Sequence, residues 1–511
     1  MIELMDTTLR DGEQTAGVSF NASEKLAIAS LLLKELNVNR IESASALVSK
    51  GESDSFRAVC DWAERNGCIS RVEALGFVDG GTSVNWIADH GGKVVNILSK
   101  GSLRHLSKQL RKTPVEHLRD IEAVLAVAQG RGVSANIYLE DWSNGIVDSP
   151  EYVFEMIDAL RDMPIDRFML PDTLGVLNPW QVELYCSMML ERYPDLHFDF
   201  HAHNDYGLAV ANTLAAVKAG FKGIHTTVNG LGERTGNAPL SSVLAGLNDH
   251  LKAENTLDES KLTRVSRYVE SISGIRLPGN EPVVGENVFT QSSGVHADGD
   301  KKDNLYANPL LPERFGRKRT YALGKVSGKA NIVNNLDTLG IHLTPEQVKL
   351  VTERVVELGD KKEAMTAEDL PFIIADVLKN ERNATQDNIH IVNYSLQLAR
   401  NMRPVAIVKV SIHGEEYEES SSGDGQYDAF MKALWKIYER LGKKHPVLTD
   451  YQVTIPPGGK TDALVATTIS WKSGCSEFKT RGIDSDQTEA AIKATVKMLN
   501  IIENMNLTNL K

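Results

Sequence analysis

Cysteine is scarce in this chain, with four residues in 511: Cys60, Cys68, Cys186 and Cys475. No two of them have CxxC spacing, which argues against a disulfide framework and a zinc–thiolate site and favours a reducing, cytoplasmic compartment. Long apolar runs are missing too. No stretch approaches the roughly 20 residues that span a bilayer, and the opening MIELMDTTLRDGEQ carries acids where a secretory leader needs bases and an apolar core. Positive charge is not in excess: 56 Lys and Arg stand against 68 Asp and Glu, a net of −12, so no dedicated nucleic-acid surface is expected. The one obvious basic cluster is Arg314, Arg317, Lys318 and Arg319. Nor is there a tract of biased composition. A chain with 42% hydrophobic and 24% charged residues is globular, and 511 residues exceed one ordinary core.

What is present is alternation. Up to about residue 275, short apolar runs at 2–7, 40–45, 72–77, 94–98, 135–139, 167–170, 197–201 and 223–228 are separated by helix-like stretches. One of these, 23–36, reads as a helix capped by Ser23. Polar residues gather just past the strand ends: Arg10 and Asp11, Glu140, Asp172 and Thr173, His201 and His203, then Glu233. Nearly every strand contributes, and such contributions meet at one point only if the sheet closes. The expected fold class is therefore α/β, a (β/α)8 TIM barrel over 1–275. A partly helical linker over 276–388 and a C-terminal α+β module over 389–511 should follow. The module reads as two βββα-like units, one ending in GDGQYDAFMKALWKI and the other in GIDSDQTEAAIKATVKML.

FDFHAHND is the sharpest local feature. On a strand, Asp199, His201 and His203 share one face while Phe198, Phe200 and Ala202 take the other. The apolar set would pack on the helices and leave two imidazoles in the barrel mouth. An isolated HxH is more often a pair of hydrogen-bonded core histidines, but Asp11 on another strand end shifts the balance. One carboxylate with two neutral imidazoles suits Mn, Zn or Fe. Arg10 offers a fork for a carboxylate or a developing enolate oxygen, with Glu13 or Glu42 as purely structural partners. Tyr138 and Glu140, two apart on the fifth strand, face the same way; Glu140 is an acid–base candidate or a surface carboxylate. GLGERTG looks like a phosphate loop but follows the last strand, so tight backbone that positions Asn237 is the simpler reading.

DTTLRDGEQTAGVSF, HAHND, NGLGERTGNAPL and SGVHADG together resemble the acetyl-CoA-condensing branch of the metal-dependent barrel enzymes, the 2-isopropylmalate, homocitrate and citramalate synthases. YLEDWSNG, PDTLGVL, NLYANP, LPERFGRKR and YALGK are most similar to the bacterial (R)-citramalate synthases within it. The resemblance covers essentially the whole chain. It implies a divalent metal ion (Mn, Mg or Zn) held by Asp11, His201, His203 and Asn237. A 2-oxo acid would be held by Arg10 and Thr173, with acetyl-CoA as co-substrate. It also implies a homodimer whose linker reaches the partner's barrel, giving His296, Asp298, Asn304 and Tyr306 catalytic or acyl-binding duties in trans. The tail would bind a branched-chain amino acid, isoleucine or leucine. Tyr427, Asp428, Val465 and Gln487 match that pocket, while Ser485 departs from the proline common there.

The implied chemistry is a Claisen-type condensation. Glu140, working with His296 and aided by Tyr306, takes a methyl proton from the acetyl thioester, the enolate attacks the polarised ketone, and thioester hydrolysis releases CoA. Leu98, Tyr138 and Leu305 match bulky positions that leave room for a methyl but crowd an isopropyl group. Pyruvate is therefore expected over 2-oxoisovalerate, by about 1–3 kcal/mol per methylene. The alternatives are a 2-isopropylmalate synthase, a barrel lyase with the same metal face, and a non-catalytic amino-acid-binding regulator.

Overall fold

A computed structural model describes residues 1–302, 305–339, 341–360, 365, 367–378, 389–454, 465–474 and 476–508; Asn304 and Cys475 lie outside them. The chain forms two compact units, Met1–Phe289 with Ala307–Arg319, and Thr290–Tyr306 with Thr320–Lys511.

In the first unit eight strands close into a parallel barrel in sequence order: β1 (Glu3–Asp6), β2 (Arg40–Ser45), β3 (Val72–Phe77), β4 (Val94–Lys100), β5 (Ser134–Glu140), β6 (Arg167–Asp172), β7 (Phe198–Ala202) and β8 (Gly223–Thr226). Each falls within two residues of its apolar run. β1 closes the sheet against β8, with Met5 opposite His225. The first helix starts at Ala22, and its cap is Asn21 rather than Ser23. The Asn21 side chain accepts from the backbone N–H of Ser23 and of Glu24, and Glu24 accepts in return from the Asn21 N–H at 2.8 Å. That reciprocal box satisfies more orphan donors than a lone serine would.

The outward residues Phe198, Phe200 and Ala202 join the large apolar layer between strands and helices. A smaller inner cluster holds Met5, Leu75, Tyr138 and Met169, with Phe77 and Leu98 against it. Toward the amino-terminal end the interior is polar. Arg40 pairs with Glu73 at 3.0 Å and with Asp199. Asn136 donates to Asn96 at 2.8 Å, and Asn96 donates to Glu42 at 2.7 Å. Buried charges survive only when partnered in this way. The basic cluster is structural: Arg314 bonds Asp249 at 2.9 Å and Glu259 at 2.7 Å, and Arg317 donates to the Gly285 carbonyl at 2.5 Å. These cations pin 307–319 to its own unit.

In the second unit β9 (Thr290–Gln291) pairs with β10 (Thr320–Tyr321), and helices Lys329–Leu339, Pro345–Asp360 and Leu370–Leu378 share a small apolar core. The tail then repeats one pattern. Strands β11 (Ile389–Gln397), β12 (Val405–Ile412) and β13 (Glu415–Ser422) form an antiparallel sheet followed by helix Gln426–Arg440. Strands β14 (Val447–Thr454), β15 (Val465–Ser473) and β16 (Ser476–Asp484) form another, followed by helix Gln487–Thr508. Both copies contribute to one core around Phe430, Leu434, Ile469 and Trp471. No helix among the described residues is long and apolar enough to cross a membrane.

Candidate active site

Asp11 sits in a tight turn after β1, where the N–H groups of Arg10, Asp11 and Gly12 all reach the Thr7 carbonyl at 3.1, 2.8 and 3.1 Å. This turn carries the carboxylate over the barrel mouth. There Asp11, His201 and His203 each offer a ligand atom within 4.8 Å of the others, and all three are buried. His201 Nε2 is 3.3 Å from Asp11 Oδ2. Asn237 arrives through its backbone, which forms an isolated bridge with His203. Its approach needs glycine nearby. At Gly232 (φ +156) a Cβ would stand 2.2 Å from Asn237 Nδ2, and at Gly236 (φ +82) it would stand 1.9 Å from the Gly230 carbonyl oxygen.

Asn237 Nδ2 donates to the Leu231 carbonyl at 3.0 Å, which leaves Oδ1 as its open acceptor. That atom, Asp11 Oδ1, His201 Nδ1 and His203 Nδ1 are all buried without a hydrogen-bond partner among the described residues. Each such orphan costs about 1–3 kcal/mol unless something binds it. A carboxylate, two imidazoles and an amide oxygen form a donor set that fits a divalent cation. The electrostatics agree. Burial by itself raises the Asp11 carboxyl, but Arg10 and the two imidazoles outweigh it and hold the group well below the usual carboxylate range. Burial, with His201 beside it, pulls His203 down to about 4 and keeps it in the neutral, ligating form.

The other candidates are more engaged than their sequence positions suggest. Arg10 Nε lies 2.6 Å from Glu42 Oε2 and Nη1 lies 3.1 Å from Asp11 Oδ2, so its orientation is set before any substrate arrives. Glu140 is ion-paired with the buried Lys100, its register partner on β4. Thr173 Oγ1 accepts from the Asp141 N–H at 2.9 Å. Glu233 is exposed and contacts Arg234 at 3.4 Å. Arg234 itself ties the rim loops together, binding Asp205 at 2.9 Å and the Thr173 carbonyl at 2.8 Å. One layer inside the Lys100–Glu140 pair, Phe77, Leu98, Tyr138 and Met169 are successive register neighbours from β3 to β6.

His296, Asp298, Leu305 and Tyr306 belong to the second unit. The His296 and Tyr306 rings lie 4.3 Å apart, Asp298 pairs with Lys302 at 2.7 Å, and Leu305 is 69% exposed. In the tail, Tyr427, Asp428 and Gln487 line a cavity of about 630 Å³ together with Leu448 and Tyr451. The Tyr427 hydroxyl is 2.7 Å from Thr495 Oγ1, and its ring is 5.5 Å from Tyr451. Val465 is buried at the start of β15, outside that lining. Glu42 is the Arg10 partner the sequence offered, whereas Lys100, Arg234 and Tyr451 escaped the sequence reading. Only Lys100 had a signal, being two residues beyond Leu98 and therefore on the same strand face.

A closed eight-stranded barrel with one carboxylate and two imidazoles at its carboxyl-terminal rim defines a metal-dependent barrel enzyme. The chain belongs to the HMGL-like family, whose profile matches residues 1–269, and within it to the LeuA-type acetyl-CoA-condensing acyltransferases. The homocitrate synthase post-HMGL domain-like profile follows over 283–363 and the LeuA allosteric (dimerisation) domain over 364–503. Over 91% of its length the chain is 36% identical to 88% of a Methanopyrus kandleri protein named "Putative (R)-citramalate synthase CimA". It is 35% identical to that organism's "Probable 2-isopropylmalate synthase", covering 98% of both chains. It is 32% identical to the "(R)-citramalate synthase CimA" of Methanocaldococcus jannaschii, over 99% of this chain and all (100%) of that one. A synthase of this class replaces the lyase and non-catalytic alternatives.

Proposed function

We propose that the enzyme condenses acetyl-CoA with pyruvate to give (R)-citramalate and CoA, in branched-chain amino acid biosynthesis, under feedback control by isoleucine. The observation that carries the reading is the cluster of Asp11, His201, His203 and Asn237 at the barrel mouth, one layer from an apolar row that includes Leu98 and Tyr138. A divalent ion held by those four residues would polarise the keto oxygen and neutralise developing charge. Arg10, oriented by Glu42, and Thr173 hold the oxo acid's carboxylate. Glu140 takes the methyl proton of the acetyl group, and Lys100 keeps that carboxylate in place. His296 and Tyr306, whose rings lie 4.3 Å apart, serve the partner subunit's site within a homodimer, and the LeuA dimerisation domain supports that assembly. Isoleucine binds the tail cavity beside Tyr427, Asp428 and Gln487. The test is steady-state CoA release with pyruvate, 2-oxobutyrate and 2-oxoisovalerate, with and without isoleucine or leucine. A preference for 2-oxoisovalerate and inhibition by leucine alone would instead make it a 2-isopropylmalate synthase.

A further inference from the structure

Tyr138 is held from three sides. Its hydroxyl lies 3.2 Å from Nδ1 of His225, the Arg10 guanidinium carbon stands 6.0 Å from its ring centroid, and the His201 ring meets it edge-on at 6.4 Å. His225 comes from β8 and is buried, and its other ring nitrogen, Nε2, lies 3.1 Å from Asp199 Oδ2. Asp199 is ion-paired with Arg40.

Asp199, ion-paired with Arg40, accepts from Nε2 of His225, which leaves Nδ1 as the acceptor for the Tyr138 hydroxyl. The chain of donation therefore has one direction, from Tyr138 to His225 to Asp199, and Arg40 anchors its end. Of the four side chains in the inner row, only Tyr138 has a polar atom tied to the barrel wall; Phe77, Leu98 and Met169 are held by packing alone. An untethered ring would yield volume by turning about its side-chain bonds, and a tethered one does not.

We propose that His225 is a specificity-determining residue. It fixes the Tyr138 ring as a rigid wall of the oxo-acid pocket and so limits the length of the substrate's side chain. It touches no substrate and acts through Tyr138, which makes it a positioning residue. The inference rests on the reading of the barrel as a 2-oxo acid site.

The test compares kcat/KM for pyruvate and for 2-oxoisovalerate in the full-length, metal-loaded enzyme. The variants are Tyr138→Phe, His225→Leu, His225→Asn and the double variant Tyr138→Phe/His225→Leu, with metal affinity and Tm measured beside them. Tyr138→Phe and His225→Leu should each lower the pyruvate to 2-oxoisovalerate ratio by about 10-fold, mainly through a lower KM for the longer acid. The double variant should go no further than either single one. His225→Asn, whose amide oxygen again accepts from the hydroxyl, should recover most of the ratio. An unchanged ratio in Tyr138→Phe, or additive effects in the double variant, overturns the tether. Should His225→Leu not fold, Tyr138→Phe carries the test alone, since it removes a single oxygen. A wild type that prefers the longer acid overturns the pyruvate reading instead, and the change of ratio between wild type and variants reads the tether independently.

Discussion

The barrel interior and the tail cavity treat charge in opposite ways. In the barrel, Arg40, Glu42, Glu73, Asp199 and the ligand set Asp11, His201 and His203 are all buried; the first four are each bonded to a group from a different strand, and Asp11 lies 3.3 Å from His201. In the tail, the cavity is walled by tyrosines and by the first turns of two helices, and both acids in its lining are already engaged, Asp428 with Lys432 at 2.7 Å and Asp486 with the Glu489 N–H at 2.9 Å. Buried, mutually dependent charges hold a reactive geometry at high energetic stake. A half-open polar and aromatic cavity suits reversible binding of an effector instead.

The strongest way to break that contrast is at the ligand cluster. Chelation should abolish CoA release, and Asp11→Asn should weaken Mn binding by more than about 100-fold in calorimetry, because even groups behind metal ligands are worth 10- to 100-fold. Full activity after exhaustive chelation would remove the metal from the account. Glu140→Gln should lower turnover by about 10²- to 10⁴-fold with metal affinity held within a few-fold; near-normal turnover would assign the base elsewhere. Arg40→Met strands Asp199 and Glu73, and urea unfolding should register a loss of about 3–5 kcal/mol. If stability is unchanged, the buried network is not what supports the barrel.

Asp6 gives the same contrast a pH readout. Burial pushes its carboxyl up to about 7, against two hydrogen bonds from Thr8. The folded state therefore holds this proton more tightly than the unfolded chain, whose value is near 4. The stability this contributes is complete below pH 4 and is lost as pH rises to about 7. Asp6→Asn should flatten that slope by roughly 1–4 kcal/mol across the window, as followed by denaturation at several pH values. An identical slope in both proteins would disprove the burial effect. The smallest change belongs to the tail. Tyr427→Leu should raise the isoleucine concentration for half-inhibition by about 10-fold, the scale of losing one or two polar and aromatic contacts; an unaltered inhibition curve would place the effector elsewhere.

Much of this architecture was legible in advance because it follows local periodicity. All eight barrel strands came from apolar runs, and the alternation in FDFHAHND placed His201 and His203 on one face and Phe198 and Phe200 on the other, as observed. The repeat in the tail was visible from two similar helix entries. Side-chain partners across the barrel were harder to read. Glu140 looked like a free carboxylate because nothing local reveals that Lys100 stands opposite it on the neighbouring strand. Ser23 looked like a cap, although Asn21-x-x-Glu24 two residues earlier already carries the spacing of the capping box that forms.

By itself, then, the order of residues determined the number and kind of secondary elements and the residue types available at each strand end, since both depend on spacings of two to four positions. Only closure of the sheet decided which of those residues meet. Asp11 lies 190 positions before His201, and the tether of Tyr138 to His225 spans 87, distances over which no local pattern carries information. Their partnership arises because shear and register in a closed barrel bring β1, β5, β7 and β8 to a common interior, where a charge without a partner could not stay buried.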